Sequence, residues 1–265
     1  MFSRTVESGV QVFSRTKSRG TTISGINPHF FEDGEPLPGQ LIELLARDHV
    51  NYVCIMVDLI VRAILPPKYY NEFKGVKVIL FDTNSMICVF MVRQILEKKL
   101  EPFNLQSDEK KTVVEEALKN LSVIKCYTLE EFEITIRNFE DTLDKDDQIG
   151  LVILDDVFTQ YWCAQFCGDD LSYEEYCLKY LRLLHNAIKD SNVTMIYHRS
   201  VNMEFKKSGF NILAYSIDVS LEDVPDFYDG ITYNGIYSAV IKNLEKNTTK
   251  KAQFRIKDCL LLFNV

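Results

Sequence analysis

The sequence predicts an α/β fold: a mainly parallel sheet flanked by helices, with a C-terminal antiparallel hairpin. Three observations carry this expectation. Short runs rich in Val, Ile and Leu alternate with helical stretches from Leu41 to Tyr197, the order that builds parallel strands buried on both faces. From Gly235 onward two strand-patterned runs flank a polar turn, the mark of a hairpin. The chain has 265 residues, 46% hydrophobic and 26% charged, enough for one large α/β core.

The elements follow in order. Residues 1–38 are polar and turn-rich and end in Pro36-Leu37-Pro38. They are too few for a substantial domain and read as a tail and lead-in, with Ile26, Phe30 and Phe31 docking on the core domain, 39–265. After a tight turn at Gly39, residues 41–45 read as a strand and 52–64 as a helix. In that helix Val53, Ile55, Met56, Val57, Leu59, Ile60 and Val61 cover nearly the whole circumference, so it is expected to be buried against the sheet. Asp58 and Arg62, spaced i,i+4, can pair on one face. Residues 76–81 form a strand ending at Asp82, and 87–100 a helix. An amphipathic helix over 109–120 is opened by Ser107 and Asp108 as its cap. A short strand spans 122–126. Thr128 and Glu131 form a capping box that starts a helix running to about Leu143. An acidic loop covers 140–147, a strand 150–155, a helix 172–190 and a strand 193–197. The hairpin runs are 235–244 and 252–263, around the polar turn 245–251.

Composition excludes several classes. A net charge of −8 argues against broad non-specific nucleic-acid binding, which needs clustered Lys and Arg. Seven scattered cysteines in apolar runs predict reduced thiols in a cytosolic or nuclear protein. The first residues lack the apolar segment of a signal peptide. The longest apolar run, 50–65, contains Asp58 and Arg62 and is too short for a comfortable membrane span.

The junction between the first strand and the first helix is the informative place. In a P-loop protein it would read G-x-x-x-x-G-K-[ST], because backbone N–H groups wrap the phosphate, Lys neutralises it and the hydroxyl holds magnesium. Here it reads Ala46-Arg47-Asp48-His49-Val50-Asn51-Tyr52-Val53. Tyr52 stands at the Lys position and Val53 at the hydroxyl position, and Asp48 would repel phosphate. Only the helix N-terminus remains favourable. Residues 151–155, Leu-Val-Ile-Leu-Asp, make a good Walker B strand. Taken alone, the junction is more simply an ordinary strand–loop–helix connection. The wider pattern reverses that.

Other constellations are weaker. Asp155 and Asp156 are a remnant magnesium-side pair or, more simply, acids that cap the next helix. Cys163, Cys167, Cys177 and His185 match no usual zinc spacing, so no metal site is expected. Lys246, Lys250 and Lys251 lie in the most basic stretch, which also contains Lys242, Arg255 and Lys257. It could touch DNA backbone, although charges on a hairpin also serve to keep an edge from pairing.

The chain resembles the eukaryotic paralogues of the RecA-type recombinase. Asn27-Pro28, Phe31, Gly39, Ile42 and Glu43 match the approach to the family's P-loop, and ungapped spacing follows to Arg62-Ala63-Ile64-Leu65-Pro66. Phe81-Asp82-Thr83, then Ile95-Leu96-Glu97 with Leu100, then 151–155 with Tyr161-Trp162 continue the likeness. It is firm from about Asn27 to Trp162 and faint past Asn202.

The resemblance implies a RecA-like P-loop ATPase core without the recombinase's N-terminal DNA-binding domain. It also implies a nuclear role in homologous recombination and double-strand-break repair, inside a complex. The direct partner would be recombinase paralogue D, and through it paralogues B and C. By the same likeness Ala46, His49, Asn51, Tyr52 and Val53 are a vestigial Walker A, and Asp155 a vestigial Walker B. Asn84 falls where active members carry a catalytic Glu, and an amide cannot accept the proton of an attacking water. A sensing Gln falls at or near Ser200. No catalytic residue and no cofactor are therefore expected, with ATP bound only weakly if at all. Two alternatives stand beside this non-catalytic subunit. One is a weak nucleotide-binding, DNA-dependent ATPase. The other is an unrelated α/β cofactor-dependent enzyme with Asp82 on a ribose, against which the missing Gly-rich turn counts.

Overall fold

The computed structural model describes residues 22–46, 51–200, 211–223 and 235–263. The strands are β1 (Leu41–Ala46), β2 (Lys77–Asp82), β3 (Leu121–Lys125), β4 (Ile149–Leu154), β5 (Thr194–Ser200), β6 (Leu213–Asp223), β7 (Ile236–Asn243), β8 (Thr248–Lys257) and β9 (Leu260–Phe263). The helices are α1 (Tyr52–Ile64), α2 (Val89–Lys99), α3 (Ser107–Lys119), α4 (Leu129–Arg137), α5 (Phe139–Lys145), α6 (Tyr161–Phe166) and α7 (Tyr173–Ser191).

Among the described residues, nine strands join one sheet in the order β3-β2-β4-β5-β1-β6-β7-β8-β9. Strands β3 to β6 of that order pair in parallel, and β6 to β9 pair antiparallel. The parallel strands read as continuous apolar runs because helices cover both faces. On one face α1, α2 and α3 close a core with Ile42, Leu80, Ile153 and Ile196. On the other, α4, α5, α6 and α7 pack on Phe81, Val152, Leu154 and Tyr197. From Val53 to Ile64 every residue of α1 is buried, as its all-round apolar sequence predicts.

Gly39 makes the tight turn into β1. Its φ is +81°, a left-handed backbone conformation that side chains strain and glycine does not. Asp58 and Arg62 pair at 2.6 Å, and Lys99 reaches the other Asp58 oxygen at 2.7 Å. Capping boxes start α4 at Thr128 and Glu131 and α7 at Ser172 and Glu175.

The lead-in is part of the core, with Ile23, Ile26, Phe30 and Phe31 buried. Phe30 meets the Phe254 and Phe263 rings edge-on, and Phe31 meets Tyr215 at 5.4 Å.

The structure corrects the sequence expectations in five places. Residues 139–145 form α5 rather than an acidic loop, because Phe139 and Leu143, one turn apart, are both buried. The single helix expected from Thr128 to Leu143 is two, broken at Asn138, whose Nδ2 donates to the Ile134 carbonyl at 2.8 Å. Ser107 and Asp108 lie inside the first turn of α3, whose cap is Gln106 without a side-chain bond. Their place favours the acid through the helix dipole rather than through capping. The run 252–263 is two strands, since Asp258 and Cys259 both have positive φ, the geometry of a two-residue hairpin turn. Finally, β6 and α6 were not anticipated. With β6 present, the expected hairpin becomes the outer part of a four-stranded antiparallel extension joined to β1.

Candidate functional site

In open α/β sheets ligands bind beyond the carboxyl ends of the parallel strands. Here those ends bring together Ala46 on β1, the start of α1, Asp82 to Asn84 after β2, Asp155 and Asp156 after β4, and His198 to Ser200 on β5. Ala46 and Ser200 are cross-strand neighbours in the β1–β5 register. Arg47, Asp48, His49 and Val50 lie outside the described residues. Ala46 and Val53 are buried.

The helix start is already occupied. Asn51 caps α1, its side chain accepting the Cys54 N–H at 3.3 Å, so one donor that could face an anion is taken by the chain itself. The Tyr52 ring lies flat on the His198 ring, centroids 3.5 Å apart and planes 2° apart. Asn84 Nδ2 donates to the Tyr52 hydroxyl at 3.1 Å. Burial raises the Tyr52 hydroxyl above its ordinary value, and the charge of Asp155 adds to it. Burial also pushes His198 down to about 3, so the imidazole is neutral at physiological pH.

The acids divide by role. Asp82 is spent on structure: it accepts the Ser85 N–H at 2.8 Å and the Tyr127 hydroxyl at 2.8 Å. Thr83 ties β2 to β4. Its hydroxyl donates to the Asp156 carbonyl at 2.8 Å and accepts the Asp156 N–H at 3.1 Å. The Asp156 carboxylate accepts the Phe158 N–H at 2.8 Å, and burial moves it up to about 6. Asp155 is fully buried, and neither oxygen has a hydrogen-bond partner, although the Tyr52 hydroxyl and the Met86 N–H stand close. Burial first, then the Asp156 charge, raises it to about 7.

Below this layer Glu43 and Arg199 form an ion pair at 2.7 Å. Glu43 also accepts the Tyr197 hydroxyl at 2.9 Å. His198 and Arg199 were not anticipated, yet a signal existed: two consecutive polar residues in a buried strand must each find a partner, one on each face.

The remaining predicted residues are placed elsewhere. Lys246 pairs with Glu35 at 2.6 Å and Glu32 at 3.2 Å. Lys250 donates to the Pro28 carbonyl, while Lys251 is exposed on β8. Cys163 and Cys167 are exposed and Cys177 is buried. Among the described residues no group of three His, Cys, Asp or Glu is arranged to hold a metal ion, and no helix is long and apolar enough to cross a membrane.

Among the described residues, the site sets a stacked aromatic pair, an amide and buried acids around the start of α1.

Comparison with known proteins agrees with the recombinase-paralogue resemblance. The chain is similar to DNA repair protein XRCC2 of Mus musculus, 23% identical over 168 residues, which is 63% of this chain and 57% of that one. The match therefore spans a little over half of the relative's length. The crystal structure of the RadB recombinase superposes with a TM-score of 0.62 at 15% identity, covering 88% of this chain and 94% of that one. The fold is that RecA-like fold. No protein-family model matches the chain.

Proposed function

We propose that this chain is a non-catalytic RecA-like subunit of a recombinase-paralogue complex, acting in the nucleus in homologous recombination and double-strand-break repair. The observation that carries the proposal is the closed helix start: Tyr52 stacked on His198 and held by Asn84, with Asn51 capping the helix. A subunit built this way works by binding its neighbours. The similarity to a DNA repair protein supports the process. Exposed apolar side chains support assembly: Met86, Val89 and Phe90 after β2, and Trp162 and Phe166 after β4, the kind of surface that marks a protein contact.

The direct partner in this proposal is recombinase paralogue D, and through it paralogues B and C. DNA is reached through the complex. Of the hairpin lysines, direct backbone contact falls to Lys251, because Lys246 and Lys250 are engaged by the lead-in.

Co-expression with paralogue D from the same organism, followed by size-exclusion chromatography, tests the proposal. One stoichiometric complex is expected. Two separate, well-folded proteins would overturn it. Calorimetry of the isolated chain with magnesium and ATP should show no binding at millimolar nucleotide. A dissociation constant of about 10 μM, about −7 kcal/mol, would favour the weak ATPase instead.

A further inference from the structure

Among the described residues β9 ends the sheet and pairs with β8 alone. Its outer edge therefore carries backbone N–H and C=O groups that can accept a further strand. A groove of about 380 Å³ lies against it. One wall is Leu261, Leu262 and Phe263, successive residues of β9. The other is Tyr70 and Phe73, from the connection between α1 and β2, and Phe103, which follows α2.

The strand alternates across the sheet. Leu261 and Phe263 stand opposite the buried Ile256 and Phe254, so they face inward toward the groove. Leu260 and Leu262 stand opposite Lys257 and Arg255 and face outward with them. The charges lining the groove are already matched: Arg62 pairs with Asp58 and Glu72, and Lys99 with Asp58. Those on the outer face are not. Arg255 and Lys257 are exposed, and among the described residues neither has an ion pair. The neighbouring acid, Asp258, is engaged by Lys98.

We propose that β9 and this groove are the docking site for an extended acidic peptide of a partner protein, which joins the sheet as a further strand beyond β9.

An added strand alternates as β9 does, so main-chain bonds hold it and its side chains divide between the two faces. Those on the inner face enter the groove, where Tyr70, Phe73 and Phe103 receive a bulky apolar group. Those on the outer face lie beside Leu260 and Leu262, within reach of the long side chains of Arg255 and Lys257. Asp or Glu at these positions neutralises cations that this chain leaves open. The partner segment therefore alternates acidic and apolar residues.

Charge selects this occupant over two others. Residues 1–21 carry Arg4, Arg15, Lys17 and Arg19 against a single acid, Glu7, so the chain's own first segment meets like charge. A second copy paired edge to edge would place both sets of Arg255 and Lys257 on one continuous face, again like beside like. The surface is separate from the exposed residues that follow β2 and β4, and the inference does not rest on the proposed function.

Fluorescence anisotropy of the full chain with a short labelled peptide alternating glutamate and leucine tests it. Saturable binding that weakens with salt is expected, and the matching lysine–leucine peptide should not bind. Arg255→Glu combined with Lys257→Glu, at exposed positions that leave the melting midpoint unchanged, should weaken binding about tenfold, as the loss of two exposed charge contacts does. Methylating the peptide nitrogens of the glutamates or of the leucines should abolish binding in one case and spare it in the other, because only alternate residues point their N–H at β9. The proposal is overturned by no binding at about 1 mM peptide, by equal binding of the two peptides, by an unaffected double variant, or by equal effects of the two methylations. Binding seen only after removal of residues 1–21, or a dimer in light scattering that the peptide dissolves, would make the occupant the chain's own segment or a second copy and overturn it as well.

Discussion

Replacing Asp155 with asparagine should stabilise the protein in neutral solution. The carboxyl is fully buried, neither oxygen has a hydrogen-bond partner, and burial with the neighbouring Asp156 moves it from 3.8 to about 7. Because the folded-state value lies above the unfolded one, the folded chain keeps a proton that the unfolded chain releases between about pH 4 and pH 7. Stability therefore falls as pH rises through that window, and the full penalty is present above pH 7. A displacement of this size is worth about 4 kcal/mol. Asparagine keeps the shape and removes the charge. In urea unfolding, Asp155→Asn should exceed the wild type by about 4 kcal/mol at pH 8 and about 2 kcal/mol at pH 5, with the curves meeting near pH 3. His198 works in the opposite direction. Its value falls to about 3, so its contribution is lost as pH drops below about 6.5, but it is common to both proteins and cancels in the difference. Equal or lower stability of the variant at pH 8 would refute the reasoning and show that the carboxylate is held by something that favours its charge.

Three further perturbations follow from buried pairs and caps. Glu43→Gln breaks the ion pair to Arg199 and should lower unfolding free energy by about 3–5 kcal/mol in denaturant melts; a loss under about 1 kcal/mol would mean the pair is solvated. Asp58→Asn takes the carboxylate from Lys99 while Arg62 keeps its ion pair to Glu72, and a drop of about 3 kcal/mol is expected by the same assay. Ser172→Ala removes the hydroxyl that accepts the Glu175 N–H and should cost about 1 kcal/mol, measurable as a small fall in melting midpoint with no change in the far-ultraviolet spectrum.

The parallel half of the sheet was legible because burial on both faces leaves unbroken apolar runs, as in Val78 to Phe81 and Leu151 to Leu154. The same template failed on β6. That strand is half-covered, so Ser216, Asp218 and Ser220 interrupt it while Tyr215, Ile217 and Val219 face inward. A search for period-two alternation would have found it. At the candidate site, spacing alone put Tyr52 at the helix start. It could not give the stack on His198, which depends on β5 lying beside β1, a pairing of distant segments that no local pattern encodes. Asn51 falls on a phosphate-binding position of the family likeness, yet its role as helix cap is readable from its residue type.

The lead-in carries a consequence for synthesis. Phe30 rests on Phe254 and Phe263, Glu32 accepts the Thr248 hydroxyl, and Asn243 donates to Glu35. These early residues have their partners near the other end of the chain. At a translation rate of about 5–20 residues per second, they emerge roughly ten to forty seconds before β8 and β9 are made. Over that interval Phe30 lacks its ring partners on the ribosome, and a nascent chain halted before Thr248 leaves it so.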